Sequence, residues 1–454
     1  MNVKQSSADN VWKLICHLIF PKILKYSRKN RYTVYYSITI FYKNYNFLIQ
    51  QIFENKAVLL KEESINLYAN NLNEAKLFFF NKISHLSFEE KEKLFKKIMK
   101  TQIETGMPYL FFKDTVNKMN PNKHDGMIGS GNLCQESFSN FSPTKVGKVI
   151  LDEENKVITQ QSESGYIHTC NLVSLNLSLL LEREELAKAS KIAVTILDNT
   201  IDLTVTPIAE SNLHNLHYRT IGIGAMGLAD YLAINKLSYK GDKITLDEVN
   251  NLFEFIAYNV VKKSADLAIE KGKYPKFEGS DWSKGVFFGK DKKWFEKNSD
   301  MKNEWLDLIK QIRETGIRNS QLLAIAPNTS SALVQGCSAS VIPIFNKFYM
   351  DKNAKGAVPI CPPFIKEAFW YYKENKNLDQ KEVVKVISTI QNWIDQGISF
   401  ELLYNLNMEI KAKDIYETIF SAWERGCKTI YYTRTIQKNS NIMSDKEECV
   451  SCAN

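Results

Sequence analysis

Asn132-Leu133-Cys134-Gln135-Glu136 places an amide, a thiol and a carboxyl at alternate positions. If the segment is extended, all three side chains project to the same side, because successive residues of a strand face opposite ways. An amide that can grip hydroxyls, a sulfur and a general base on one edge make a compact redox site for a polyhydroxylated substrate. A strand carrying one half-buried cysteine is the plainer alternative, since free Cys usually behaves as a small apolar residue. The choice depends on what surrounds the pentapeptide along the chain.

Upstream, Thr105-Gly106-Met107-Pro108 signals a turn, and the apolar run Tyr109 to Phe112 reads as a buried strand. A polar loop over 117–131, rich in Asn and Gly, delivers the chain to Asn132. Downstream, beyond an acidic loop at 152–163, comes His168-Thr169-Cys170-Asn171-Leu172-Val173-Ser174-Leu175-Asn176. Leu172, Ser174 and Asn176 alternate as in a strand with Cys170 at its entrance; on its own this thiol would be a core cysteine. Gln321 to Ala326 reads as a buried strand, Pro327-Asn328-Thr329-Ser330-Ser331 as a hydroxyl-rich loop, and Ala332-Leu333-Val334 as a helix start. Free N–H groups at a helix N-terminus beside Ser/Thr hydroxyls suit phosphate; simple N-capping by Asn328 or Thr329 is the alternative.

In Lys428-Thr429-Ile430-Tyr431-Tyr432-Thr433-Arg434, adjacent tyrosines on a regular strand would face opposite sides. Contact between the two phenols requires a local distortion, and would let an electron and a proton pass between them. Cys449-Val450-Ser451-Cys452 is a CxxC on a polar, unperiodic tail. A tethered thiol pair can exchange with a disulfide buried elsewhere, whereas a metal site needs more ligands than the tail offers. Gly222-Ile223-Gly224-Ala225-Met226-Gly227 formally matches GxGxxG. No clear strand leads into it and no acidic ribose partner follows about twenty residues on. Close helix packing is the better reading of these glycines.

The chain has 454 residues, enough for two or three domains or one large one with appendages, and is 44% hydrophobic and 24% charged. That composition excludes wholesale disorder. Of the net charge of +8, residues 1–50 hold +7, from eight Lys/Arg against Asp9 alone. What remains is no electrostatic footprint for nucleic acid. No run approaches the roughly 18 apolar residues of a membrane span, and Trp12 to Phe20, interrupted by Lys13, makes a poor signal sequence. The eight cysteines are scattered, which suits reduced cytosolic thiols and lacks the paired sets of a structural zinc site. Helical spacing at 184–203, 227–237, 246–271, 380–397 and 411–425, with short strands at 321–326 and 428–434, indicates an α/β architecture. The expected organisation is a divergent basic leader and helical segment over 1–95, an α/β domain over 96–436, and a flexible redox tail over 437–454.

Thr105 to Tyr109, Ser130 to Glu136, Cys170-Asn171-Leu172, Arg219 to Asp230, Pro327 to Ser331, Tyr431-Tyr432 and the Cys449/Cys452 tail follow one another in a specific order. That ordered set closely resembles the large, catalytic subunit of class I ribonucleotide reductase, over about residues 96–454. The resemblance implies the C-terminal half of that family's ten-stranded α/β barrel, with a helical N-terminal region and a flexible C-terminal tail. It implies that Cys134 becomes a thiyl radical and takes the 3′ hydrogen of a ribonucleoside diphosphate, with Glu136 as base on the 3′ hydroxyl and Asn132 holding the ribose oxygens. Cys170 would be one half of a redox-active disulfide. Pro327, Asn328, Thr329, Ser330 and Ser331 would hold the diphosphate. Tyr431 and Tyr432 would relay the radical, and Cys449 and Cys452 would re-reduce the disulfide. The chain itself would bind no metal. Its radical would come from a metal-containing small subunit, its electrons from thioredoxin or glutaredoxin, and ATP or dNTP effectors act on the full-length family.

The sequence also departs from the family pattern. The usual partner of Cys170 lies far upstream of the NxCxE loop, and Cys16 is too close to replace it. By the same resemblance, the regulatory ATP-binding module, the specificity-effector loops and the first half of the barrel are expected to have no counterpart in these residues. The chain is therefore expected to act in the cytoplasm with a separate N-terminal piece or as a homo-oligomer, together with a small subunit. The alternative is a non-catalytic remnant that only binds partner subunits or nucleotide.

Overall fold

A computed structural model describes residues 37–43, 46–51, 87–353 and 356–436. Helix Phe88–Thr105 opens on a capping box: the Ser87 hydroxyl accepts the Glu90 N–H while the Glu90 carboxylate accepts the Ser87 N–H. It closes on left-handed Gly106. The helix runs unbroken across residues 95 and 96.

Strand Tyr109–Phe112 is fully buried and pairs antiparallel with Thr429–Ile430 on one side and parallel with Ser37–Lys43 on the other. Ser37–Lys43 in turn pairs antiparallel with Asn46–Gln51. Leu172–Asn176 and Gly222–Met226 run parallel in register. Beside them lies 321–325, joined by Ile221 N–H to Gln321 O (3.0 Å) and Ile223 N–H to Leu322 O (2.8 Å). Segment 396–399 continues the series through Ile325 N–H to Gly397 O (3.0 Å) and Ser399 N–H to Ile325 O (2.8 Å). Leu402–Asn405 runs parallel to Thr433–Ile436. Among the described residues these strands do not close into a barrel.

The strand expected at 321–326 survives only as single bridges, Ile223 with Leu323 and Ile325 with Ile398. The cause is a side chain: buried Asp395 accepts the Leu322 and Leu323 N–H groups at 2.7 and 2.8 Å, replacing a ladder. Gly222–Met226 is itself a buried strand, so helix packing does not explain its glycines. A Cβ on Gly224 would sit 2.5 Å from the Ala324 carbonyl oxygen; the glycine lets two backbones approach. The acidic loop expected at 152–163 is instead half of a hairpin, Lys145–Asp152 with Val157–Glu163, exposed along its whole length. The helix expected over 380–397 ends at Gln391, which frees 396–399 to join the strands.

Helices Arg183–Leu203, Lys243–Lys271, Gln380–Gln391 and Ala412–Glu424 stack in succession, and the last also packs on Phe88–Thr105. Their apolar stripes bury one continuous core with the strands. It includes Trp282, Trp305 and Trp393, the last two stacked at 5.9 Å. No described helix is long and apolar enough to cross a membrane.

Candidate active site

The pentapeptide at 132–136 is not extended. Leu133 and Cys134 form a turn, and Gln135 adopts a left-handed backbone with φ 64°. Hydrogen bonds inside the loop take the place of a ladder: Gln135 N–H to Asn132 O (3.2 Å), Asn132 N–H to Ser137 O (3.1 Å) and Ser137 N–H to Asn132 Oδ1 (3.1 Å). The turn, rather than strand alternation, gathers the functional groups. Asn132 Nδ2 donates to Glu136 Oε1 at 2.8 Å and lies 3.5 Å from Cys170 Sγ.

The loop rests on rigid neighbours. Gly397 N–H donates to Glu136 O at 2.7 Å, and the Ser399 hydroxyl donates to the Cys134 carbonyl. A Cβ on Gly397 would stand 2.4 Å from Gln135 O, so this strand can approach only as glycine. From below, the Asn-rich stretch is buried and not a solvated loop. Asn117 exchanges both amide bonds with the Ile128 backbone at 2.8 Å, and Asn120 Nδ2 donates to Asn140 Oδ1 at 2.7 Å. Side-chain amides thus supply the partners that an irregular backbone needs.

Glu136 is 3% exposed and its Oε2 has no hydrogen-bond partner. Burial raises its carboxyl pKa, with the Asn132 bond pulling the other way. Burial likewise pushes the Cys134 thiol up; a hydrogen bond with Tyr431 lowers it, and the charges of Glu136 and Glu401 raise it further. Cys170 is exposed as a residue, but its sulfur faces Asn132 and Ser137, and burial raises that thiol too. At neutral pH both sulfurs are thiols, beside a carboxyl whose second oxygen is free to accept.

Behind Cys134 the strand expected over 428–434 breaks at Tyr431 and Tyr432. Tyr431 N–H turns to Phe400 O (3.0 Å), and the Tyr432 carbonyl accepts from Leu402 N–H (2.9 Å). The break brings the two rings to 4.3 Å. A third phenol joins them. The pairing of Ile430 with Leu110, continued one step, sets Tyr109 opposite Tyr431, with ring distances of 4.6 Å to Tyr431 and 4.9 Å to Tyr432. Burial and a hydrogen bond to Tyr432 push the Tyr109 phenol well above its ordinary range. Burial and the contact with Cys134 do the same to Tyr431. Arg434, ion-paired with Glu401, lies 4.9 Å from the centre of the Tyr432 ring. An unbroken file of polar side chains therefore runs Tyr432, Tyr431, Cys134.

The 327–331 turn enters the short helix Thr329–Gln335 through left-handed Asn328. No side chain caps that helix, which removes the capping alternative for Asn328 and Thr329. Asn328 Nδ2 donates instead to Ser174 Oγ at 2.7 Å, tying the turn to the strand that follows Cys170. Thr329, Ser330 and Ser331 are exposed.

A family model described as ribonucleotide reductase, barrel domain, matches residues 79–433. The chain belongs to this family. Its relatives include the ribonucleoside-diphosphate reductase subunit alpha of Synechocystis sp., 51% identical over 372 residues, covering 80% of this chain and 45% of that protein. The subunit alpha of Helicobacter pylori is 32% identical over 403 residues, covering 80% and 51%. That of Treponema pallidum is 32% identical over 349 residues, covering 76% and 40%. The chain spans about half the length of the curated relatives it matches.

For this member of the ribonucleotide reductase family, the structure brings Asn132, Cys134, Glu136, Cys170 and Tyr431 into one cluster, with Tyr432 beside it. The 327–331 turn is tied to the strand that follows Cys170, through Asn328 and Ser174. Cys449 and Cys452 lie outside the described residues. Sequence reading missed Tyr109, whose signal was available as an aromatic directly after the turn Thr105 to Pro108. It also missed Ser137, next to Glu136, and the role of His168, two residues before Cys170: Ser137 Oγ and His168 Nε2 are 2.7 Å apart.

Proposed function

We propose that this chain is the catalytic portion of a ribonucleoside-diphosphate reductase, which reduces ribonucleoside diphosphates to deoxyribonucleotides by radical chemistry. The observation that carries the reading is the convergence of a tyrosine pair, a thiol, an amide and a carboxyl on one turn, with a second thiol opposite. In this reading Tyr432 and Tyr431 pass oxidising equivalents from a metal-containing small subunit to Cys134. The Cys134 sulfur, as a radical, takes the 3′ hydrogen of the ribose. Glu136 accepts the 3′ hydroxyl proton through its unpartnered Oε2, consistent with the reach a general base requires. Asn132 orients that carboxylate and the ribose oxygens. Pro327 to Ser331, with uncapped N–H groups and exposed hydroxyls, receives the diphosphate.

Cys170 serves as one thiol of the reducing pair; its partner would come from a separately encoded N-terminal piece or a second copy. Cys449 and Cys452 return electrons from thioredoxin or glutaredoxin, and the work takes place in the cytoplasm. ATP and dNTP effectors act through the rest of the assembly.

The test is reduction of a radiolabelled ribonucleoside diphosphate by the chain, alone and then with small-subunit and N-terminal partner pieces. Cys134→Ala is expected to abolish turnover in the complete mixture while leaving nucleotide binding nearly intact. Turnover persisting in that variant removes the radical assignment.

A further inference from the structure

Beside the cluster lies a second polar network that the reaction above does not use. Ser137 Oγ stands 2.7 Å from His168 Nε2 and 3.1 Å from Gln396 Oε1, and is within hydrogen-bond reach of the Cys170 side chain. Gln396 is locked as an acceptor toward Ser137: its Nε2 donates to Ile221 O at 2.7 Å, and its Oε1 already takes the Phe138 N–H at 3.2 Å. One hydroxyl with a single proton therefore has three polar neighbours. His168 sits two residues before Cys170 on the same segment, and its Nδ1 is enclosed without a partner. Fully buried His214 packs against it, with ring centres 5.1 Å apart, and stacks on Tyr218 at 4.8 Å.

We infer that Ser137 and His168 form a proton relay for Cys170, taking the proton when its sulfur becomes a thiolate and returning it when that sulfur is released. The inference rests on the reductase reading for the purpose of Cys170, but on geometry alone for the relay. In the forward step the Cys170 S–H bond breaks and its electron pair stays on sulfur. The proton passes to Ser137 Oγ as the Ser137 proton moves to His168 Nε2. On re-reduction, an external dithiol attacks the disulfide that holds Cys170. The Cys170 sulfur leaves with the bonding pair and is protonated from His168 through Ser137, while the dithiol becomes the disulfide. Ser137 touches the reacting sulfur; His168 is a positioning residue that acts through it.

The surroundings fit such a role. Burial holds the His168 imidazole at about 4 and raises the Cys170 thiol, so both rest neutral at pH 7, and the ring takes a proton only while the nearby sulfur carries the compensating negative charge. The groups facing the pair are Glu136, Cys134 and Asn132 from the active loop, His214, His217 and Tyr218 from helix Ala209–Tyr218, and Tyr166. Of these only Glu136 can carry a charge directly beside Cys170. Its negative charge opposes the thiolate, which makes a separate acceptor for the proton more useful.

The test needs neither nucleotide nor partner subunit. The full chain is alkylated with iodoacetamide across pH 6–9, and labelling of each cysteine peptide is followed by mass spectrometry. Exposed Cys361 serves as the reactivity reference, and fully buried Cys427 reports any loss of fold. In the wild type the Cys170 rate is expected to flatten toward low pH, where the imidazole takes the proton. His168→Ala and Ser137→Ala are each expected to slow Cys170 about tenfold at pH 7.5, with a rate that climbs about tenfold per pH unit. Ser137→Thr, which keeps the hydroxyl, is expected to restore the wild-type profile, and the double alanine variant to be no slower than either single one. Superimposable profiles for wild type and both alanine variants, with Cys427 unlabelled, overturn the relay; so do additive effects in the double variant. If His168→Ala exposes Cys427, Ser137→Ala and Ser137→Thr decide the matter. Loss of nucleotide reduction in Cys134→Ala alongside superimposable Cys170 profiles sinks the relay and leaves the reductase reading intact.

Discussion

Glu136→Gln separates what the carboxyl does from how it is held. Glutamine keeps an oxygen for the 2.8 Å bond from Asn132 Nδ2, and the loop bond from Gly397 N–H goes to the main chain and is untouched. What disappears is the proton-accepting capacity of Oε2, which is enclosed and unpartnered. Removing a positioned general base typically costs about 10²–10⁴ in rate, or roughly 3–5.5 kcal/mol of barrier. Substrate affinity should change far less, so kcat falls and KM does not. Stability should move the other way. Burial raises the folded carboxyl pKa above its ordinary 4.5. The contribution of Glu136 to stability is therefore intact below that ordinary value and is lost as pH rises through the raised one. The glutamine variant, compared with wild type by urea denaturation, should gain relative stability from pH 4 upward and level off once Glu136 is fully ionised. Turnover of a radiolabelled nucleoside diphosphate by the complete mixture measures the first arm. A variant with more than a tenth of wild-type kcat, or a stability difference flat across that pH range, refutes the reasoning.

Tyr431→Phe should block turnover with the small-subunit radical still formed, since Phe has no phenolic proton. Tyr109→Phe should only slow it, because its ring stays 4.6 and 4.9 Å from those of the relay pair while its hydrogen bonds are lost; rapid-quench assays with electron paramagnetic resonance distinguish the two, and equal loss in both variants would place Tyr109 in the chain of transfer. Asp198 is wholly buried and accepts from Arg219 at 2.9 and 2.7 Å and from Asn319 at 3.2 Å, with Lys271 and Arg318 at 3.4 and 3.3 Å. Asp198→Asn removes the buried counter-charge and leaves part-exposed Asp202, 2.7 Å from Arg219, as the carboxylate still facing the cluster, and should cost about 3 kcal/mol in urea denaturation. Burial alone would raise the Asp198 pKa, but the three cations hold it below the ordinary range, so the penalty should be full at neutral pH and fade as pH falls through that lowered value. Cys449→Ser with Cys452→Ser should slow thioredoxin-driven turnover more than turnover driven by a small dithiol; equal slowing argues against a shuttle.

The helices were legible because amphipathic spacing survives in any tertiary context, and Arg183–Leu203 and Ala412–Glu424 match the stripes read from sequence to within a residue or so. The hairpin from Lys145 to Glu163 was not, because it is exposed on both faces and so carries no period of two. Strand 321–325 shows a different gap: its apolar run was evident, but its partner on one side is the Asp395 carboxylate, a contact that no local pattern encodes. The site itself divides along the same line. Asn132, Cys134 and Glu136 do share one turn, but not through the alternation expected of them. Alternation in a strand would aim them together only if the segment had ladder partners, and here the backbone bonds to itself instead. Tyr109 was missed because it meets the site through a strand register, and His168, although two residues before Cys170, because its partner is the Ser137 hydroxyl on a different loop.

That difference in route has a physical consequence. A strand would hold the three groups with the stiffness of a sheet. A turn holds them through Gln135, whose left-handed backbone costs about 1–2 kcal/mol. The Gln135 N–H and Nε2 both bond Asn132 O, and Gly397 packs so closely on the loop that a Cβ built on it would stand 2.4 Å from Gln135 O. These contacts confine the loop to one conformation in spite of the cost. Cys134 is thereby carried on a tight tip, with the Tyr431 phenol on one side and Glu136 and Cys170 on the other.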